Sequence, residues 1–239
     1  MSIAPPAAIL FDLDGTLMDD NRAVNAAVKA FYCIYGDRLG MSLRDLTLRW
    51  RQLLNIHYQR YLQGEISMEE QRRARVLDLF RFSKLRVSVE TADEVFAVYL
   101  RAYEASWVVF PDVLPALSAL SGIPLAVLTN GELSQQTQKL RTAGLADCFC
   151  GIFASSELGF AKPQPKAFLN ACALLQLNPA RCVYVGDDLE VDARGGASAG
   201  LTGVWLDRCR SGIDPSDEIL VVQSLSELPW YFLSATCGG

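Results

Sequence analysis

Two kinds of apolar pattern alternate along this chain. From Ala7 to Phe11 the residues are apolar without polar alternation, follow Pro5-Pro6 and stop at a carboxylate. Such a run predicts a strand buried on both faces, as in a parallel sheet. After Asp19 the spacing changes to that of helices. Residues 21–35 place Ala23, Val24, Ala27, Val28, Phe31 and Ile34 on one face and are predicted to end at Gly36. Ser42-Leu-Arg-Asp45 and Ser67-Met-Glu-Glu70 have the form of capping boxes and open helices predicted to reach Leu62 and Phe82. Thr91-Ala-Asp-Glu94 begins a fourth, predicted to run through Tyr103. No strand is expected between 19 and 106.

From Trp107 onward strands and helices alternate. Strands are predicted at 122–128, 151–154, 181–185 and 201–206, with a weak sixth at 219–222. Helices are predicted at 113–120, 133–143, 165–175 and 191–199, and the tail from Ser234 is expected to fray. This alternation predicts an α/β fold, a doubly wound parallel sheet with right-handed crossovers. The core is expected from 1–18 and 107–239, with an α-helical insert at 19–106. Because the insert follows the first strand, it is expected to stand over that strand's carboxyl end as a lid.

Composition narrows the class. The 239 residues suffice for one large or two modest domains, and 51% hydrophobic with 21% charged residues is globular. A net charge of -5 argues against nucleic acid or an anionic membrane surface as the main partner. No apolar stretch approaches the about 18 residues of a membrane span, and no secretory signal is visible at Met1-Ser2-Ile3-Ala4. Seven cysteines without C-x-x-C spacing, and a single histidine, predict reduced thiols in a cytoplasm and no zinc site. A monomer or a homodimer fits equally.

In an open parallel sheet, ligands bind outside the carboxyl ends of the strands. The predicted first strand ends at Asp12-Leu13-Asp14-Gly15, and period-two geometry aims both carboxylates the same way, with Leu13 toward the core. Two repelling acids need compensation, which a divalent cation such as Mg²⁺ supplies. The second predicted core strand ends at Thr129-Asn130, the loop after the third carries Lys162, and the fourth ends at Asp187-Asp188, with Asp192 on the following helix. Alone, each is also an ordinary turn, loop charge or cap. Together they combine carboxylates for a metal with a hydroxyl, an amide and an ammonium for anionic oxygens, which is what phosphoryl transfer requires.

The motifs Asp12-Leu-Asp14-Gly-Thr16, Leu128-Thr129-Asn130-Gly131, Ala161-Lys162-Pro163 and Val185-Gly186-Asp187-Asp188-Leu-Glu-Val-Asp192 resemble those of the haloacid-dehalogenase-like hydrolase superfamily, over nearly the whole chain. The helical insert resembles that family's first-type cap on a Rossmann-like core. Its stretch 63–67, with Arg72, Arg73 and Arg75, is similar to caps of pyrimidine-nucleotidase and acylneuraminate-phosphatase relatives. The resemblance implies Asp12 as nucleophile forming an aspartyl phosphate, and Asp14 as general acid, then base. It implies Mg²⁺ on Asp12, the Asp14 backbone carbonyl and Asp187, supported by Asp188 and Asp192. Thr129, Asn130 and Lys162 would hold the phosphoryl oxygens of a small phosphorylated metabolite.

The dehalogenase branch lacks the second acid, so Asp14 favours a phosphatase. A phosphomutase and a non-catalytic binding protein are the other readings. Arg49, Arg51, His57, Tyr58 and Arg60 are cap candidates for substrate choice, against the plainer expectation of a solvated helix face or a core contact. For His57, which has no evident partner, a structural role is expected.

Overall fold

The computed structural model describes residues 5–215 and 219–233. In chain order the elements are β1 (Ala8–Phe11), α1 (Asp20–Leu39), α2 (Leu43–Leu62), α3 (Met68–Phe82), α4 (Val89–Glu104), α5 (Val113–Ala119), β2 (Leu125–Thr129) and α6 (Leu133–Thr142). Then come β3 (Gly151–Ala154), α7 (Ser155–Leu158), α8 (Pro165–Leu174), β4 (Cys182–Gly186), α9 (Gly195–Ser198), β5 (Thr202–Leu206), β6 (Leu220–Val222) and α10 (Leu228–Leu233). The chain divides into two compact units, one from Asp20 to Val108 and one from the segments on either side. The expected fraying from Ser234 lies outside the described residues.

The sheet unit carries six parallel strands in the order β3-β2-β1-β4-β5-β6. β1 is therefore central, and all four of its residues are fully buried. That is why it reads as a continuous apolar run. Successive residues face opposite sides: Ala8 and Leu10 join Ala126, Leu128, Phe168, Ala171, Cys172 and Tyr184 in one core layer. From β1 the chain winds outward to β2 and β3, then crosses back to β4 on the other side of β1. The reversal makes the crevice at the ends of β1 and β4 the switch point, where doubly wound sheets bind ligands. No helix among the described residues is long and apolar enough to cross a membrane.

The helical unit is built from α1–α4 around a core that includes Phe31, Trp50, Val76, Leu79, Phe80, Phe96 and Tyr99. Ser67 and Glu70 form a reciprocal capping box at the start of α3. At α2 the Ser42 hydroxyl accepts from the Asp45 backbone N–H, so Ser42 is the N-cap. Three expectations need correction. α1 does not stop at Gly36 but runs to Leu39, ending before Gly40 in the left-handed region. Gly36 lies inside the helix with the Tyr32 ring packed against it, where a Cβ would come within 2.6 Å of that ring. Ile34, placed on the apolar face, is 60% exposed. α4 begins at Val89 with Ser88 as its cap, so Thr91 is the residue whose N–H is capped and not the start.

Candidate active site

The chain leaves β1 at Phe11, so Asp12 and Asp14 sit on the turn beyond the strand rather than in it. Asp12 is tied to the sheet by its backbone N–H, which donates to the Val185 carbonyl at 2.8 Å. Gly15 follows with φ 91°, and a Cβ there would lie 2.4 Å from the Asp187 carboxylate. Only glycine lets the β1 turn approach the end of β4 this closely. Gly186 plays the same part, since a Cβ there would strike the Asp192 carboxylate at 2.3 Å.

Lys162 is the hub. It is 4% exposed. Its Nζ donates to Asp12 Oδ1 at 2.6 Å, to Asp192 Oδ1 at 2.7 Å and to the Tyr184 hydroxyl at 2.7 Å. An ammonium has three N–H donors, and all three are used. Burial works against its charge, but Asp12 and Asp192 outweigh that and hold its pKa well above the usual lysine value. The Lys162 loop is fixed in turn by Asn130, whose Oδ1 accepts from the Lys162 backbone N–H at 2.8 Å. The Asn130 Nδ2 donates to the Lys162 carbonyl at 2.9 Å. The Asn130 amide, expected on phosphoryl oxygens, is thus engaged with the loop that carries the lysine.

Asp12, Asp187 and Asp192 each offer a carboxylate oxygen within 4.8 Å of the others. Thr16 Oγ1 lies 3.2 Å from Asp187 Oδ1 and 3.4 Å from Asp12 Oδ2. Burial, with Asp192 and Asp187 nearby, raises the Asp12 pKa well above the carboxylate range despite Lys162. Asp187 keeps solvent-facing surface, yet crowding around its carboxylate and the charge of Asp192 push it up to about 7. The rise at Asp12 and the rise at Lys162 pull in opposite senses. The pairing with Lys162 stands, because burial raises the acids first and the neighbouring carboxylates add to it, while the same carboxylates hold the proton on the lysine. A surplus of oxygen ligands and charge is what Mg²⁺ compensates, so the donor set fits that ion. Asp192, expected only in support, has both oxygens occupied, by Lys162 and by the Asp188 backbone N–H.

The turn that delivers Asp192 is not the regular helix expected at 191–199. Residues Leu189–Arg194 form a π-helical turn, and α9 follows. The Asp188 carboxylate accepts from the backbone N–H groups of Glu190 and Val191, both at 2.9 Å, and opens that turn. The wider turn swings Asp192 back toward Lys162, a common use of π-bulges at sites.

Asp14 belongs to a second cluster. Its Oδ1 accepts from Lys139 Nζ at 2.5 Å and its Oδ2 from Gln136 Nε2 at 2.9 Å. Gln136 Nε2 also lies 2.8 Å from Thr129 Oγ1, which accepts from the Gly131 backbone N–H as well. With its oxygen accepting twice, the Thr129 hydroxyl has its proton left to donate. Lys139 is 1% exposed. Sequence reading missed Lys139, Gln136 and Tyr184. The signals were there: Gln136, Lys139 and Leu140 have the spacing of one buried helix face, and Tyr184 interrupts an aliphatic strand, where its hydroxyl needs a partner. That hydroxyl donates to the Leu128 carbonyl at 2.7 Å. Arg208 was missed too; it donates to the Thr16 carbonyl and to Asp112, bracing the acid-bearing turn.

Of the helical-unit candidates, His57 has a partner after all. Its Nε2 lies 3.0 Å from Asp78 Oδ2, and burial lowers its pKa. Arg51 donates to Asn21 and Asn25, Arg60 pairs with Glu65, Arg49 lies over the Phe82 ring, and Tyr58 contacts Tyr61.

A family model for haloacid dehalogenase-like hydrolases matches residues 6–200. This chain belongs to that family. Among curated relatives, it is 41% identical to phosphoserine phosphatase of Thermus thermophilus over 40% of this chain and 37% of that protein. It is 32% identical to mouse N-acylneuraminate-9-phosphatase over 61% and 60% of the two chains. The chain thus spans less than two thirds of the length of these relatives. It is 30% identical to ribulose-1,5-bisphosphate 5-phosphatase of Halopiger xanaduensis over 88% and 86%. In fold it resembles the HAD-hydrolase YfnB of Bacillus subtilis, a structure bound to magnesium (TM-score 0.80, 23% identity, 96% and 99% covered). It also resembles 2-haloacid dehalogenase of Pseudomonas syringae (TM-score 0.71, 26% identity, 95% and 98% covered).

Proposed function

We propose that this family member is a Mg²⁺-dependent phosphomonoester hydrolase of a small phosphorylated metabolite, working through an aspartyl phosphate on Asp12. The observation that carries the reading is the pair of acids on one turn held in different ways. Asp12 is buried on Lys162 among surplus carboxylates, and Asp14 is held by Lys139 and Gln136. Two acids in different settings suit two different roles.

Asp12 Oδ1 is fixed by Lys162, so Oδ2 attacks phosphorus. The bond from Oδ2 to phosphorus forms, the ester P–O bond breaks, and Asp14, which enters this step protonated, gives that proton to the leaving oxygen. Asp14 then takes a proton from water as that water attacks phosphorus, the bond to Asp12 breaks, and phosphate is released. The Thr129 hydroxyl donates to a phosphoryl oxygen, and Asn130 keeps Lys162 in place. Asp12, Asp187 and the Asp14 backbone carbonyl would hold Mg²⁺, which when bound neutralises phosphoryl charge.

Phosphate release from a panel of phosphomonoesters by the purified chain tests the reading. EDTA is expected to abolish turnover and Mg²⁺ to restore it. Ca²⁺, which takes more ligands in looser geometry, is expected not to. Full activity in EDTA would defeat the metal assignment. Haloacid dehalogenation is the second reading, favoured by the likeness to the Pseudomonas syringae enzyme, and halide release from a 2-haloacid with no phosphate release from any ester would select it.

Lys139 adds a prediction of its own. Lys139→Met removes the charge on Asp14 Oδ1 and leaves Gln136 alone to orient the carboxylate. Turnover of alkyl phosphates, which need a proton on the leaving oxygen, is expected to fall by about 10–100-fold, part of the general-acid contribution. Turnover of p-nitrophenyl phosphate should fall much less. Equal losses on both substrates would mean that Lys139 only supports the fold.

A further inference from the structure

The helical unit contains a buried cation with no counterion among the described residues. Arg75 lies on the core stripe of α3 with Met68, Gln71 and Leu79 and is 5% exposed. Other arginines of this unit, all more exposed, have partners: Arg60 has Glu65, Arg73 has Asp93 and Arg81 has Asp78. Arg75 has no carboxylate or hydrogen-bond acceptor among the described residues, and its buried Nε is unpartnered. Three rings surround the guanidinium, with Cζ 4.8 Å from the Phe96 centroid, 5.4 Å from Trp50 and 5.9 Å from Tyr99.

Burial lowers the pKa of Arg75 to about 10, so it stays charged at neutral pH. Rings compensate the faces of a guanidinium through their quadrupoles. They do nothing for the N–H groups, which lie in its plane and form a fork suited to carboxylate or phosphate oxygens. The titratable and charged groups that act on Arg75 are Tyr99, Arg72, Tyr103 and Tyr58, and Arg75 is felt in turn by His57. The largest of these influences are phenols, a second cation and an imidazole, and the acids next to them are engaged elsewhere, Asp78 by His57 and Arg81, and Asp20 by Tyr103. A buried charge that its own protein leaves uncompensated is costly, and a ligand of opposite charge removes that cost.

We propose that Arg75 is the receptor of an anion-binding site in the helical unit, taking a carboxylate or phosphate group of a small ligand on its unpartnered guanidinium edge. Two sources share this chemistry: a second anionic group on the phosphoester substrate, or a separate anionic effector.

The test uses the full chain and its Arg75→Met variant. Methionine suits an aromatic cage without charge. In an arginine-labelled ¹⁵N spectrum, the Nε–H peak lost in Arg75→Met identifies Arg75. Titration with inorganic phosphate and with malonate, free of metal and at constant ionic strength, should shift that peak saturably. Without either anion Arg75→Met should melt no lower than the parent chain, and malonate should raise the melting temperature of the parent alone. Absence of a saturable shift with both probes overturns the proposal. So does a malonate stabilisation equal in the two proteins.

A kinetic arm identifies the source, and it rests on the hydrolase reading. A phosphorylated hydroxy acid is compared with its primary amide. If the substrate brings the anion, the parent should prefer the acid in kcat/KM by about 10–100-fold, the worth of a charged hydrogen bond, and Arg75→Met should lose that preference. If an effector brings it, the substitution leaves the ratio unchanged while malonate still shifts the peak. A chain that hydrolyses neither ester but shows the saturable shift keeps the anion site and loses the hydrolase reading.

Discussion

Lys162→Met is expected to lower kcat by about 10³-fold, the upper range for losing one preorganised charge-stabilising donor, while KM changes far less. The asymmetry follows from the donor count. All three N–H groups of Lys162 are spent on Asp12, Asp192 and Tyr184. The lysine therefore acts mainly by fixing the Asp12 carboxylate and by sharing its charge, and only secondarily as a substrate contact. Methionine keeps the length of the side chain, so the loop, which is held by the Asn130 amide, should stay in place. What the variant loses is the ammonium, leaving Asp12 and Asp192 facing each other, and removing one partner of a buried pair costs about 3–5 kcal/mol. A drop in melting temperature that Mg²⁺ partly reverses should accompany the loss of rate. Steady-state kinetics with a melting curve on the same preparation decides it. A folded Lys162→Met chain with near-normal kcat would show that the buried contacts of this lysine are structural only.

Tyr184→Phe should be milder, at about 10-fold, because Lys162 keeps both carboxylates and only the two hydrogen bonds of the hydroxyl are lost, one accepted from the lysine and one donated to the Leu128 carbonyl. It separates the lysine's charge from its exact placement. The ring remains in the core layer with Phe168, so a large loss of rate would report on the orientation of Lys162 rather than on the packing of the sheet.

The sheet was legible because parallel strands buried on both faces carry no alternation, and β1, β2 and β4 are such strands. Chemistry-bearing residues just past those runs, at Asp12, Thr129 and Asp187, lie at strand ends, which the topology gathers. The crossing from β3 to β4 beside β1 is what brings Asp187 and Asp192 to Asp12. Helix faces hid more. The spacing of Gln136, Lys139 and Leu140 marks one helix face, but nothing local says that Lys139 and Gln136 on that face meet Asp14, more than a hundred residues away in the chain. Arg75 is the same case in the helical unit. The π-helical turn was invisible because its cause, the Asp188 side chain capping two backbone N–H groups, also describes an ordinary helix start. Gly36 misled in the opposite direction. It was read as a stop, yet it sits inside α1 with the Tyr32 ring packed against it.

Asp12→Asn is expected to abolish turnover, since an amide cannot act as the nucleophile, whereas Asp14→Asn should fail in a way that depends on the substrate. Asparagine at 14 keeps the backbone carbonyl and an oxygen that accepts from Lys139, but its amide nitrogen cannot accept from Gln136 and it has no carboxyl proton to give. p-Nitrophenolate is stable as an anion and leaves almost unaided; an alkoxide does not. General-acid help is worth about 10²–10⁴-fold, so formation of the aspartyl phosphate should slow by that order with alkyl phosphates and little with the aryl ester. The second step is the same for both substrates and needs Asp14 as a base. The aryl ester should therefore give a burst of about one p-nitrophenolate per site and then stall, with Asp12 recovered as its phosphate by mass spectrometry after acid quench. Pairing the variant with Lys139→Met adds a check. If Lys139 acts by orienting the Asp14 carboxylate, the double variant should be little worse than Asp14→Asn alone, because residues that act as a unit are not additive. Equal slowing of both esters without a burst would instead mean that Asp14 takes no part in proton transfer, and that the Lys139–Gln136 clamp on it serves only to hold the turn after β1.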